Sequence, residues 1–139
     1  MQALTSIARV ESGFAPLLIG VSGPHRSVVR PTTKAEAVET ASELIAAGRD
    51  IDLGLAQINS RNLAALDMSV EDAFDSCRNL AAAGRILDRG YERALITGQG
   101  NRPILQMAYS IYNTGNTDDG LRNGYVARVE AARREDSLD

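Results

Sequence analysis

Three short segments hold the residues whose types and spacing could do chemistry. The first is Ala8-Arg9-Val10-Glu11-Ser12-Gly13-Phe14. Ala3, Ile7, Val10 and Phe14 recur at helical spacing, with Leu4 and Ala8 beside them, so a helix is expected over 2–14, closed by Pro16. On that helix Glu11 falls one turn after Ile7 and next to Ala8. A carboxyl beside an apolar stripe loses hydration and holds its proton to higher pH, which is what a general acid needs near neutrality. A boundary glutamate at the rim of the core fits the same periodicity. The second segment is Asp52-Leu53-Gly54-Leu55-Ala56-Gln57-Ile58-Asn59. Gly54 permits a close backbone approach or a positive φ. Gln57 and Asn59 offer donors and acceptors that suit sugar hydroxyls and amides, and a capped loop-to-helix junction would use the same residues. The third segment, Ala108 to Asn116, puts Tyr112 and Asn113 at the end of an apolar helix with Gly115 at its C-cap. A tyrosine hydroxyl there could hydrogen-bond a carboxyl across a cleft, or belong to a core tyrosine followed by a turn.

The elements that must position these residues read as mostly helical. Between the first two segments, Leu17-Leu18-Ile19 and Val28-Val29 flank Gly20, Gly23 and Pro24, which predicts a small hairpin or irregular flap over 17–31. Thr33 and Glu36 have capping-box spacing for a helix with Val38, Ala41, Leu44 and Ile45 on its apolar face, ended by Gly48. Residues 50–59 read as a loop leading into a short helix, and Ser69 as the N-cap of another short helix. A long helix is expected over 77–97, with Leu80, Ala83, Leu87, Tyr91 and Leu95 on one face. Gly98 and Gly100 mark a turn, Pro103 suits the first turn of the next helix, and Asn113 to Gly120 reads as a polar loop. A last helix is expected at about 124–135, with a frayed, charged tail over about 131–139.

Composition excludes several classes of function. The 139 residues carry a net charge of −3 and six aromatic side chains, which argues against a nucleic-acid binder. No apolar run approaches the ~20 residues of a membrane helix, so no membrane insertion is expected. The single cysteine, Cys77, excludes an internal disulfide and a multi-cysteine zinc site, and it reads as a small buried hydrophobe. His25, the one histidine, lies in a Gly/Pro-rich stretch and makes a poor general base for a triad. Asn116-Thr117-Asp118-Asp119-Gly120 lacks the alternating ligands and terminal Glu of a calcium loop and reads as a solvated turn. No metal or cofactor is expected.

Taken in order, the three segments resemble the soluble lytic transglycosylases, peptidoglycan-cleaving enzymes with a lysozyme-like fold. Asp52-Leu53-Gly54, Gln57-Ile58-Asn59-Ser60-Arg61-Asn62, Tyr112-Asn113-Thr114-Gly115-Asn116 and Asn123-Gly124-Tyr125-Val126-Ala127-Arg128-Val129 look like the branch that serves type IV secretion and conjugation. The match spans roughly residues 4–130. It implies a mainly α, lysozyme-like α+β fold in a single domain over 1–139, with the flap beside a glycan-binding cleft. By this resemblance Glu11 is the catalytic acid, Ser12 helps hold the substrate or the acid, and Gly54 and Gln57 line the sugar cleft. Tyr112 orients the acid, Asn113 pairs with it in the motif and binds the glycan together with Gln57, Asn59 and neighbouring backbone groups, and Tyr125 shapes the cleft and packs the C-terminal helix. Ala56 stands where the family usually has Met, which should leave more room or a weaker sugar contact.

The activity so implied is cleavage of the MurNAc–GlcNAc bond with closure of a 1,6-anhydro ring. Glu11 serves as both acid and base, and the substrate's acetamido group assists. A goose-type hydrolytic lysozyme and a non-enzymatic peptidoglycan-binding scaffold are the alternatives. The expected partners are glycan strands and secretion-channel subunits, acting on a periplasmic monomer. No signal peptide is visible, and the start looks like that of a trimmed mature domain.

Overall fold

The structure, a computed structural model, describes residues 2–97 and 100–138. The contacts divide the chain into two compact units, Glu11–Ala82 and Met1–Val10 with Ala83–Asp139. Among the described residues there are seven α-helices and one four-stranded sheet, in the order α1 Gln2–Ser12, β1 Ile19–Val21, β2 Ser27–Val29, α2 Lys34–Ala46, β3 Ile51–Leu53, β4 Ile58–Asn59, α3 Val70–Ala73, α4 Ser76–Thr97, α5 Ile104–Thr114, α6 Asp119–Arg122 and α7 Tyr125–Asp136. This is the expected helical α+β architecture.

The first unit is built on the sheet, with strand order β2-β1-β3-β4 and every pairing antiparallel. The hairpin expected within 17–31 is present, with Ile19 paired to Val29 and Val21 to Ser27. The stretch read as a loop at 50–59 instead supplies β3 and β4, because Asp52 pairs with both Gly20 and Asn59. Two- and three-residue strands carry too little alternation to be visible as a pattern. Ile19, Val21, Ile51, Leu53 and Ile58 are buried along the sheet. Helix α2 starts at the predicted cap, where the Thr33 side chain accepts from the Glu36 N–H. Its buried residues are Ala37 and Ala41, while Ile45 is exposed, so α2 packs through alanines rather than through the larger residues expected. Ser69 and Asp72 form a full capping box on α3.

In the other unit, α5, α6 and α7 contact one another pairwise. Helix α4 meets α5 through Gly90, where an added Cβ would come within 3.4 Å of Ala108 O and Ile111 Cγ2. That close crossing puts Gly90 and Ala94 inside and leaves Tyr91 and Leu95 exposed, which corrects the predicted face. Cys77 is exposed rather than buried. It lies about 200° around α4 from the buried Asn79, two residues on, at about 100° per residue. Helix α1 ends at Ser12, before Pro16, because Gly13 and Phe14 both adopt positive φ. Phe14 therefore leaves the apolar stripe and is exposed. Pro103 is the N-cap of α5, just outside the first turn where it was expected. The Gly98 part of the predicted turn lies outside the described residues. The polar loop expected through Gly120 gives way to α6 at Asp119. Helix α7 runs to Asp136, past the expected start of fraying, and the Asp136 carboxylate accepts from Ser6 Oγ and pairs with Arg9 on α1.

Asp52 is the partly buried carboxylate of the sheet. It accepts from Asn59 Nδ2 at 3.0 Å and faces Arg26 at 3.5 Å. Burial pushes its carboxyl above the usual range, and Asn59 and Arg26 offset this only in part. A native pKa above the unfolded one means that the native state holds the proton longer, so stability falls as pH rises through it. Asp52→Asn keeps an acceptor for Asn59 and has no charge to desolvate. Urea midpoints measured between about pH 3 and pH 7 should show the variant gaining on the parent protein as pH rises.

Candidate active site

The unit Glu11–Ala82 brings Glu11 to Phe14, the end of the first segment, together with the second segment. Glu11 lies in the last turn of α1, partly buried. Its neighbour Ser12 is buried, donates its hydroxyl to Leu55 O at 2.6 Å and accepts from the Ala15 N–H at 3.1 Å. This hydroxyl joins the end of α1 to the turn between β3 and β4.

That turn is built from buried backbone. Gly54 has φ +75° and donates its N–H to Leu18 O at 2.9 Å. A Cβ at Gly54 would come within 2.5 Å of Ala73 O and 2.6 Å of Asn79 Nδ2. Glycine is therefore required both for the left-handed φ and for space. Gln57 also adopts a positive φ, 55°, which is uncommon for a residue with a side chain. Its Nε2 donates to Leu18 O and Gly54 O, each at 3.0 Å, and its Oε1 accepts from Arg26 at 3.4 Å. Gln57 is thus a buried brace with its amide used inside the protein. Asn59 is committed in the same way: its Nδ2 donates to Asp50 and Asp52, and its Oδ1 caps the 3-10 turn Ser60–Asn62 through the Arg61 N–H. Both residues form the capped junction that stood beside the sugar-binding reading. Ala56, expected to open space at a cleft wall, is completely buried.

Asn79 is the residue that sequence reasoning missed. It is fully buried on α4; its Oδ1 accepts from the Ala56 N–H at 2.8 Å, and its Nδ2 donates to Leu53 O at 2.9 Å and Ala73 O at 2.7 Å. Its signal was an amide on the buried stripe Asn79, Ala82, Ala83 and Leu87. Arg26 was missed as well, because nothing in its exposed surroundings singles it out before the register of β1 and β2 is known.

The other unit joins the third segment to Asn123-Gly124-Tyr125. Tyr112 is partly buried in the last turn of α5, which Gly115 ends at φ +85° as expected. Asn113 is exposed and accepts from Asn123 Nδ2 at 2.8 Å, while Asn123 Oδ1 accepts from the Tyr125 N–H at 2.9 Å. Tyr125 is 2 % exposed, a packing position at the start of α7. In the Asn116–Asp119 turn, Asn116 Oδ1 accepts from the N–H groups of Asp118 and Asp119, and Asp118 pairs with Arg102. No cluster of metal-ligating side chains occurs among the described residues.

Asn79→Ala would remove three interior hydrogen bonds, from the Ala56 N–H and to Leu53 O and Ala73 O, and a buried group that loses its partner costs about 1–3 kcal/mol. A loss of about 3 kcal/mol or more is expected in denaturant unfolding. Asn79→Asp should give no rescue, because a carboxylate cannot donate to Leu53 O and Ala73 O.

Comparison with known proteins follows the same segments. The chain is 38% identical over 137 residues to the type IV secretion system protein virB1 of Brucella abortus, covering 94% of this chain and 57% of that relative. It is 34% identical over 136 residues to protein virB1 of Agrobacterium fabrum, covering 95% of this chain and 53% of the relative. A Rhizobium radiobacter virB1 is 35% identical over 133 residues, covering 93% and 53%. The chain thus spans a little over half the length of these curated relatives. No solved structure matches it. The transglycosylase SLT domain family matches residues 1–132, a span that includes the Glu11-Ser12 helix end, the Gly54–Asn59 turn and the Tyr112-Asn113 pair, and the chain belongs to that family.

Proposed function

We propose that this chain is a peptidoglycan lytic transglycosylase domain that opens the cell wall locally for a type IV secretion or conjugation apparatus. The observation that carries this reading is the Glu11-Ser12 end of α1, held to the Gly54–Gln57 turn by the Ser12 hydroxyl, in a chain matched to the SLT family over 1–132. The reading takes both units as one working domain, since the family match runs through both. The virB1 names of the relatives support the link to secretion. Among the described residues no helix is long and apolar enough to cross a membrane, which is compatible with work in the periplasm. The partners proposed are glycan strands and subunits of the secretion channel.

Most glycosidases place two carboxylates on the bond. Here Asp52 is committed to Asn59 and Arg26 in the sheet, which favours a route with one carboxyl. Protonated Glu11 donates its proton to the oxygen between the muramic and glucosamine sugars, and the glycosidic bond breaks. The acetamido oxygen of the muramic sugar stabilises the anomeric carbon. The Glu11 carboxylate then takes the proton of the C6 hydroxyl, whose oxygen attacks that carbon and closes the 1,6-anhydro ring. The proton returns to Glu11, and no water is consumed. In this reading Tyr112 orients the Glu11 carboxyl, and Ser12 fixes the helix end that carries it.

The test is digestion of purified peptidoglycan with mass analysis of the soluble fragments. Products lighter by one water than hydrolysed ones are expected. Glu11→Gln should lower their rate by about 10²–10⁴-fold, the range for losing a general acid. Hydrolysed products that depend on Glu11 would make the domain a goose-type lysozyme, and retained binding without cleavage would make it a scaffold. Tyr112→Phe should lower kcat roughly 10- to 100-fold, as for a misoriented group, with little change in KM.

A further inference from the structure

One face of the sheet has a gap at its centre, and an arginine from the hairpin turn fills it. Gly20 on β1 pairs with Val28 on one side and Asp52 on the other, and Asp52 pairs with Asn59. Paired residues share a face, so this row lies opposite the buried Ile19, Val21, Leu53 and Ile58. Gly20 adds no side chain to the row, yet it is buried. Its cover comes from two side chains: a Cβ on Gly20 would meet Gln57 Oε1 at 2.6 Å and Arg26 Nη2 at 2.7 Å. Arg26 lies two residues before Val28, which puts it on the same face. Its Nη2 donates to Gln57 Oε1 at 3.4 Å and lies 3.5 Å from Asp52 Oδ2.

What Arg26 holds matters more than the ion pair it makes. Its side chain is 55% exposed, and an ion pair so exposed adds little stability. Gln57, by contrast, is buried at a φ of 55° and donates Nε2 to Leu18 O and Gly54 O. Those carbonyls can only accept and a guanidinium can only donate. The three partners therefore fix which end of the amide carries the oxygen. A bond from a cation to that oxygen also strengthens the donor end of the same amide. Next to Gly54 O in the turn is Leu55 O, which takes the Ser12 hydroxyl at the end of α1. A continuous set of bonds thus runs from the hairpin turn to the helix end that carries Glu11.

We propose that Arg26 is a positioning residue: through the gap at Gly20 it holds the Gln57 amide, and with it the turn that anchors the Glu11-Ser12 end of α1. The hold on Gln57 is independent of any reaction. Its effect on rate rests on the transglycosylase reading above, and the two fail separately in the following experiment.

Hydrogen exchange and kinetics are measured on Arg26→Ala, Arg26→Lys and Gly20→Ala. The added Cβ of Gly20→Ala meets only two flexible side-chain ends, so the strand is kept while Arg26 and Gln57 are pushed apart. Both Arg26→Ala and Gly20→Ala should speed exchange of the Gln57 side-chain amide and of the Gly54 N–H by about ten-fold or more, while the amides of α2 keep their rates. On peptidoglycan both should lower kcat about five- to ten-fold with little change in KM, as for a misplaced group. The double variant should be no worse than either alone, because both break the same contact. Arg26→Lys should recover part of the loss, since an ammonium keeps the charge without the planar fork. Unchanged exchange at Gln57 in Arg26→Ala, or equal speeding throughout α2, would overturn the proposal even in a protein that cleaves peptidoglycan. Faster exchange at Gln57 with kcat unchanged would overturn it too. Faster exchange confined to Gln57 and Gly54, in a protein that releases no fragments, would support the hold and remove the transglycosylase reading.

Discussion

The backbone of residues 53–57 makes a tight, largely buried turn, and buried polar groups must find partners within the protein. Apart from Gln57, which lies in the turn itself, the described partners come from three separate stretches of chain. Leu53 O and the Ala56 N–H go to Asn79, the Gly54 N–H to Leu18, Gly54 O to Gln57, and Leu55 O to Ser12. Satisfying one turn therefore fixes the end of α1, the start of β1 and the first part of α4 against β3 and β4. The left-handed Gly54 and Gln57 make the turn tight enough for this, and Gly54 leaves no space for a larger side chain. Strain of this kind persists where surrounding contacts over-determine it, as the two Gln57 amide bonds do here.

For the function proposed, with Glu11 as its acid, the consequence concerns position more than binding. A general acid is useful only if its carboxyl stays where the leaving oxygen will be, and such placement is most exact on regular elements supported by a second layer of hydrogen bonds. Glu11 sits in the last turn of a helix whose following residue is bonded into the buried turn. Gln57 and Asn59 belong to that supporting layer. Their amides hold Leu18, Gly54, Asp50 and Asp52. Sugar recognition in the proposed function therefore falls on backbone groups and on residues with polar atoms still turned outward.

The other unit uses the same device on a smaller scale. Asn113 at the end of α5 receives Asn123, and Asn123 receives the N–H of the buried Tyr125. The Tyr-Asn pair and the Asn-Gly-Tyr segment are thus one structural assembly, with Gly115 and Gly124 supplying the left-handed turns at its edges.

The residues of the chain determined the helical plan, because long apolar periodicities and capping residues act locally: Thr33, Ser69 and Gly115 stand where the helix ends were expected. They also marked the turn glycine, since a glycine between apolar residues is a local signal. Tertiary structure decided the rest. β3 and β4 exist because β1 offers Gly20 and its neighbours as partners, a pairing between distant segments that two- and three-residue runs cannot announce. The fate of Gln57 and Asn59 was decided by which backbone groups the fold buried beside them, and Asn79 became the centre of the turn for the same reason. The outward turn of Tyr91 and Leu95 followed from the close approach of α5 to Gly90. Local sequence sets which residues could bond or pack, and only the folded chain decides which groups are left without water and must be satisfied by them.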